Sequence, residues 1–265
     1  MTEQTASVEL HCETIGNGPD LVILHGLFGS GENWRSQAKR LATQFTVHSM
    51  DARNHGDSPH TTGISYPQMA ADVAATCAIL GIKHSHIIGH SMGGKTAMQL
   101  ALQQPQLINR LIVVDIGPGQ YPHHHRNVID GLIAVQQSDT SNRRDADTLL
   151  AQHVDNAAVR AFLLKNLQRT ADNRYRLKIN LEVIAGQYEH IAAAVGASNH
   201  TARFDGPVLF IKGADSDYLQ PSDREIILQK FPNTALKTID GAGHWPHSEK
   251  PDVVYRIIAD FLTGQ

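Results

Sequence analysis

The chain has 265 residues, a formal net charge of −3 and 41% hydrophobic residues, enough to bury a large core and without the basic surplus that would suit nucleic acid or an acidic membrane. No apolar run approaches the roughly 18 residues that a spanning helix needs. Met1 to Cys12 is polar with no apolar h-region, so a cytoplasmic protein is expected. Cys12 and Cys77 are far apart in sequence, match no metal or redox spacing, and read as structural thiols in a reducing compartment.

Taken in order, Val8 to Ile15 reads as a first strand, closed by the turn Gly16-Asn17-Gly18-Pro19. Leu21 to Leu24 is a short apolar run of the kind that fills a central parallel strand. It ends in His25-Gly26-Leu27-Phe28-Gly29, and a helix from about Asn33 to Ala42 follows. Phe45 to Met50 is the next strand, and Asp51 and Arg53 just beyond it are expected to brace a loop as an ion pair. Ser65-Tyr66-Pro67-Gln68 has the form of a capping box opening a helix that Gly81 ends.

The strand Ser85 to Gly89 then breaks at Ser91 and runs into a helix from Met92 to about Gln103. Gly89-His90-Ser91-Met92-Gly93 is a G-x-S-x-G elbow, in which a serine on a strained turn holds its oxygen clear of the backbone while glycines let strand and helix pass closely. The Met92 amide, at the helix N-terminus, points where an oxyanion would form. Its partner is expected in the Leu27 amide, or alternatively that of Phe28. Leu111 to Val114 delivers Asp115 at a strand end.

At Gly117-Pro118-Gly119 the alternation of strand and helix stops, and helical patterns with no convincing strand continue to Thr201. Arg174, Arg176 and Lys178 in this stretch form a basic cluster that could favour anionic substrates. His123-His124-His125 reads as a surface tract, since adjacent histidines cannot easily face one ion. The alternation resumes at Pro207 to Lys212, Ser222-Asp223-Arg224-Glu225 reads as a second capping box, and Ala235 to Asp240 is the last strand. Gly243-His244-Trp245-Pro246-His247 follows, then a final helix from Pro251 to Leu262.

The chemistry of such an elbow needs a base and an acid beside Ser91. His244, late in the chain in a glycine-rich loop, is the base; His247, beyond Trp245-Pro246, fits packing or a surface role. For the acid, the usual position in the loop after the seventh strand is Ser216, flanked by Asp215 and Asp217, and Asp115 is the other sensible source. His25, Gly26, His90 and Trp245, next to these residues, are the expected substrate contacts. No metal or organic cofactor is required, and a monomer or homodimer acting on a small molecule is expected.

Together, His25-Gly26-Leu27-Phe28-Gly29, Asp51-x-Arg53-Asn54-His55-Gly56, Gly89 to Lys95, Val114-Asp115-Ile116-Gly117-Pro118 and Gly243-His244-Trp245 resemble the α/β-hydrolase superfamily, and more narrowly the YbfF-type esterases and their abhydrolase-domain relatives. The resemblance implies a mostly parallel eight-stranded sheet with helices on both faces, formed by residues 1–118 and 202–265, and an all-helical cap, residues 119–201, inserted after the sixth strand. It implies carboxylic-ester hydrolysis, with acyl-CoA thioesters as further candidates, and places the acid at Asp115. A carbon–carbon bond hydrolase, a lyase, or a binding protein that has lost catalysis on this fold are the alternatives.

Overall fold

Short apolar runs bounded by turn residues become strands whose alternate side chains fill the two faces of a sheet. The computed structural model describes residues 6–138, 140, 142–171, 174–196 and 201–264. Its strands are β1 (Cys12–Ile15), β2 (Asp20–Leu24), β3 (Thr46–Met50), β4 (Ser85–His90), β5 (Ile108–Val114), β6 (Leu167–Arg169), β7 (Tyr175–Leu177), β8 (Val208–Gly213) and β9 (Thr234–Ile239). Seven form one sheet in the order β1-β3-β2-β4-β5-β8-β9, parallel except for β1, which pairs antiparallel with β3.

Alternation along the strands divides the core. Val22, Leu24, Ile87, Leu111, Val113 and Phe210 face one buried cluster, while Leu21, Ile23, Ile88, Ile112, Val114 and Ile211 face the other. Each such side chain, fully withdrawn from water, stabilises the fold by about 1.5–3 kcal/mol before entropy is counted. The helix Met92–Gln103 covers the first face and Pro251–Thr263 the second.

The sheet has seven strands where eight were expected, and the segment beyond the fifth strand, not the sixth, leaves the sheet. The strand expected from Val8 to Ile15 is shorter than that and begins at Cys12. The amides of Val8, Leu10 and His11 donate to side chains, Asp72 Oδ1, Thr76 Oγ1 and Ser58 Oγ, so regular pairing with β3 starts at Cys12, with Asp51 N to His11 O (2.9 Å) as its last bond. The expected Asp51–Arg53 ion pair does not form. Arg53 turns inward to Asp72 on the helix Tyr66–Ile79, with Nε–Oδ2 2.5 Å and Nη2–Oδ1 2.6 Å and both side chains fully buried. Asp51 instead accepts the Gly31 and Asp57 amides. The second capping box is closed by Gln220 and Asp223, two residues before the expected position.

Between β5 and β8 the segment is not all helical. Helices Arg126–Gln137, Arg143–Leu150, Ala157–Leu163, Leu181–Gly186 and Tyr188–Ala192 are interrupted by the antiparallel hairpin β6–β7, with Leu167 opposite Leu177. Its strands are three residues each, too short for alternation to stand out against the helical pattern before it. Both ends of the segment are tied to the helix after Ser91. Lys95, buried one turn along, donates Nζ to Gly119 O (2.5 Å) and Ala193 O (2.7 Å). Burial lowers its pKa to about 7.

The elbow glycines are fixed by backbone contact. A Cβ on Gly93 would stand 2.4 Å from Leu24 O and 2.5 Å from His25 O, and one on Gly89 would stand 2.2 Å from Gly93 O. A side chain at either position would push the helix off the ends of β2 and β4. Gly93→Ala is therefore expected to destabilise the protein by about 3 kcal/mol, read from urea unfolding. A loss under about 1 kcal/mol would show that the crossing is looser than described.

Candidate active site

Parallel register sets the site. His90 of β4 lies opposite Val114 of β5, and Val114 opposite Ile211 of β8, so Ser91 and Asp115 emerge side by side at the carboxyl edge. Ser91 sits at φ 52°, ψ −118°, and Asp115 at φ 54°, in backbone regions that non-glycine residues rarely adopt and that cost of order 1–3 kcal/mol each. Ladder extensions hold both: Ser91 N donates to Val114 O (3.0 Å) and Asp115 N to Ile211 O (2.8 Å).

The loop after β9 brings His244 to the same place. Its Nδ1–H donates to Asp115 Oδ2 at 2.8 Å, because a carboxylate can only accept, and this leaves Nε2 to accept the Ser91 hydroxyl at 3.0 Å. Asp115 is fully buried and also accepts the Gly213 amide (3.0 Å) and the Ser216 hydroxyl. Ser216 thus donates to the carboxylate from the position usual for the acid itself. Asp215 and Asp217, its neighbours, are exposed. The Tyr218 ring stacks on the imidazole, centroids 3.9 Å apart at 23°.

Leu27, Phe28 and Met92 lie around Ser91. Met92 begins its helix, and Leu27 and Phe28 are the central residues of a turn closed by Gly29 N to Gly26 O (3.0 Å). The Phe28 amide already donates to His55 Nε2 (3.2 Å), whose Nδ1–H donates to Arg53 O (3.0 Å). That commits the Phe28 amide to the core side of the turn. His55 is held neutral, its pKa pushed by burial to about 3.

A cavity of about 130 Å³ opens over Ser91 and His244, with Val128, Val159, Phe162 and Leu163 forming its apolar wall. Gly26, His90 and Trp245 line it. His25 does not; it is buried, with Nδ1 spent on Gly26 O (2.8 Å) and Nε2 accepting the Ala52 amide (2.9 Å), so it braces the loop instead of meeting substrate. His90 spends Nε2 on His244 O (2.7 Å) and fixes that loop. His247 is a packing residue, stacked on Trp34 with centroids 4.2 Å apart.

His123 and His124 are exposed, as a surface tract requires, but His125 turns inward to line the cavity. It hydrogen-bonds the Tyr188 and Tyr218 hydroxyls, and burial lowers its pKa to about 4. The basic cluster does not face Ser91. Lys178 pairs with Asp57 (2.8 Å), and Arg174 and Arg176 are exposed. Among the described residues, His11, Asp51 and Asp57 place ligand atoms within 4.8 Å of one another, but Lys178 Nζ occupies Asp57 and two amides occupy Asp51. Cys12 and Cys77 are free thiols. Among the described residues no helix is long and apolar enough to cross a membrane.

The family model of the α/β-hydrolase fold matches residues 19–251. The chain belongs to that family. The Escherichia coli esterase YbfF is 38% identical over 248 residues, which cover 93% of this chain and 94% of that one. A mouse protein named sn-1-specific diacylglycerol lipase ABHD11 is 40% identical over 253 residues, 92% of this chain and 81% of its own. A solved structure described as a marine microorganism esterase superposes with a TM-score of 0.92 at 39% identity, covering 96% of this chain and 100% of the other. Within the family the chain falls with the YbfF-type and abhydrolase-domain proteins, and by class it is a carboxylic ester hydrolase.

Proposed function

We propose that Ser91 is the nucleophile, His244 the general base and acid, and Asp115 the orienting acid of a serine esterase. The observation that carries this reading is the hydrogen-bonded line from Asp115 through His244 to Ser91 at a strained turn. His244 takes the Ser91 proton as the oxygen attacks the ester carbonyl, and Asp115 stabilises the imidazolium. The Leu27 and Met92 amides bind the oxyanion, beside the Tyr218 and Trp245 rings that line the cavity. His244 then protonates the departing alcohol or thiol, and water it activates releases the acid from Ser91.

Residues 119–201 act as a cap, since Val128, Val159, Phe162 and Leu163 from this stretch wall the cavity over Ser91. The wall is apolar and the space small, which favours short acyl chains over long ones. Acyl-CoA thioesters and diacylglycerol, the latter from the name of the mouse relative, belong in the substrate panel. The free thiols fit a reducing compartment.

The test is hydrolysis of a p-nitrophenyl ester series, diacylglycerol and acyl-CoA thioesters by wild type and Ser91→Ala. Turnover of p-nitrophenyl butyrate above p-nitrophenyl palmitate, lost by roughly 10⁴-fold or more in Ser91→Ala, is the expected result. Activity that survives in Ser91→Ala would remove Ser91 from the role.

A further inference from the structure

Phe28 sits at φ 60°, a conformation that favours glycine, at the third position of the turn Gly26 to Gly29. Relaxing Phe28 means rotating one of the two peptides beside it: Leu27–Phe28, which carries the Phe28 amide, or Phe28–Gly29, which carries Phe28 O and the Gly29 amide that closes the turn around Leu27 on Gly26 O. In this protein both ends of the strained residue are held. From the core side, His55 Nε2 accepts the Phe28 amide at 3.2 Å. From the other side, Asn166 Nδ2 donates to Phe28 O at 2.7 Å.

Asn166 is itself well fixed. It is 5% exposed, it follows the helix Ala157–Leu163, its second amide proton goes to Leu163 O (3.0 Å), and its backbone oxygen accepts the Lys178 amide (2.8 Å). It is 138 residues from Phe28 in sequence, and belongs to the segment between β5 and β8, while Phe28 belongs to the sheet's own loop.

We propose that Asn166 is a positioning residue that holds Phe28 in its strained conformation and so keeps the Leu27 amide aimed at the oxyanion, making turnover depend on the docked cap. The proposal rests on the reading of Ser91 and Leu27 given above. Asn166 touches neither substrate nor the reacting atoms. Its effect falls on the transition state, where the oxyanion exists, and spares substrate binding, which depends on the cavity wall.

The experiment is steady-state kinetics on p-nitrophenyl butyrate for wild type, Asn166→Ala, Phe28→Gly and the double variant. Asn166→Ala is expected to lower kcat by roughly 10- to 100-fold with KM within about twofold. Glycine adopts positive φ without strain, so in the Phe28→Gly background the same Asn166 change is expected to cost no more than about threefold. A residue that merely holds the cap together would cost the same in both backgrounds and would raise KM. The proposal is overturned if Asn166→Ala keeps kcat within about threefold of wild type, if KM rises in step with the loss, or if the two backgrounds lose equally. Failure of the underlying reading shows separately, in a Ser91→Ala control that stays active.

Discussion

Asp115→Asn is expected to lower kcat by roughly 10⁴-fold while leaving the fold intact, and Asp217→Asn is expected to stay within about threefold of wild type. The size of the first effect follows from how Asp115 is used. Oδ2 accepts from His244 and Ser216, and Oδ1 accepts from Gly213. Every contact to the carboxylate is a donor, so an amide NH₂ in place of either oxygen faces a proton. The imidazole can then offer its lone pair to the amide only by moving its proton to Nε2, and it loses the site that accepts the Ser91 proton. Asp217 is exposed and far less constrained. Kinetics on p-nitrophenyl butyrate, with circular dichroism to check the fold, decides it. Equal losses in the two variants would return the acid to the loop after β8.

Acid is expected to destabilise the protein steeply below about pH 6.5. Burial pushes His55 and His247 down to about 3 and His125 to about 4, and it lowers His25 and His90 as well. Above pH 6.5 these groups are neutral folded and unfolded, and contribute no slope. As the pH falls, the unfolded chain takes up protons that the native state refuses, so stability declines from about 6.5 toward 3. Near pH 5 each such histidine costs about 2 kcal/mol, hence about 4 kcal/mol for His55 and His247 together. Urea unfolding at pH 7.5 and pH 5 measures the difference. His247→Phe is an informative variant, because His247 Nδ1 has no hydrogen-bond partner and the ring stacks on Trp34. It should remove about one proton from the slope. Stability flat within about 1 kcal/mol over that range would contradict the neutral burial of these rings.

What the sequence carries about the site is what is local. Gly89, Ser91 and Gly93 announce the elbow because steric demands fall on neighbours in the chain, and His244 stands out as a histidine in a glycine-rich loop after the last strand. Contacts between distant residues leave no such mark. Arg53 lies two residues from Asp51, yet its partner is Asp72, on the helix Tyr66–Ile79. Ser216 looks like a missing acid, and only the fold turns its hydroxyl to Asp115. His55, inside a recognisable motif, gave no hint that it accepts the Phe28 amide, and Asn166 lies in a stretch whose pattern reads as plain helix. Tyr218 reaches His244 from the loop after β8, a contact no periodicity encodes. The hairpin β6–β7 escaped for a different reason, since strands of three residues are shorter than the windows in which alternation can be told from a helical face.

The most direct test of Ser91 as the nucleophile is covalent labelling of the wild-type protein with diethyl p-nitrophenyl phosphate, followed by peptide mass mapping. Attack by an activated serine displaces p-nitrophenolate and leaves a diethylphosphoryl ester on its oxygen. Stoichiometric release of p-nitrophenolate, an adduct on the peptide that carries Ser91, and no adduct in Ser91→Ala are expected. Absence of labelling, or an adduct on another residue that persists in Ser91→Ala, would contradict that role.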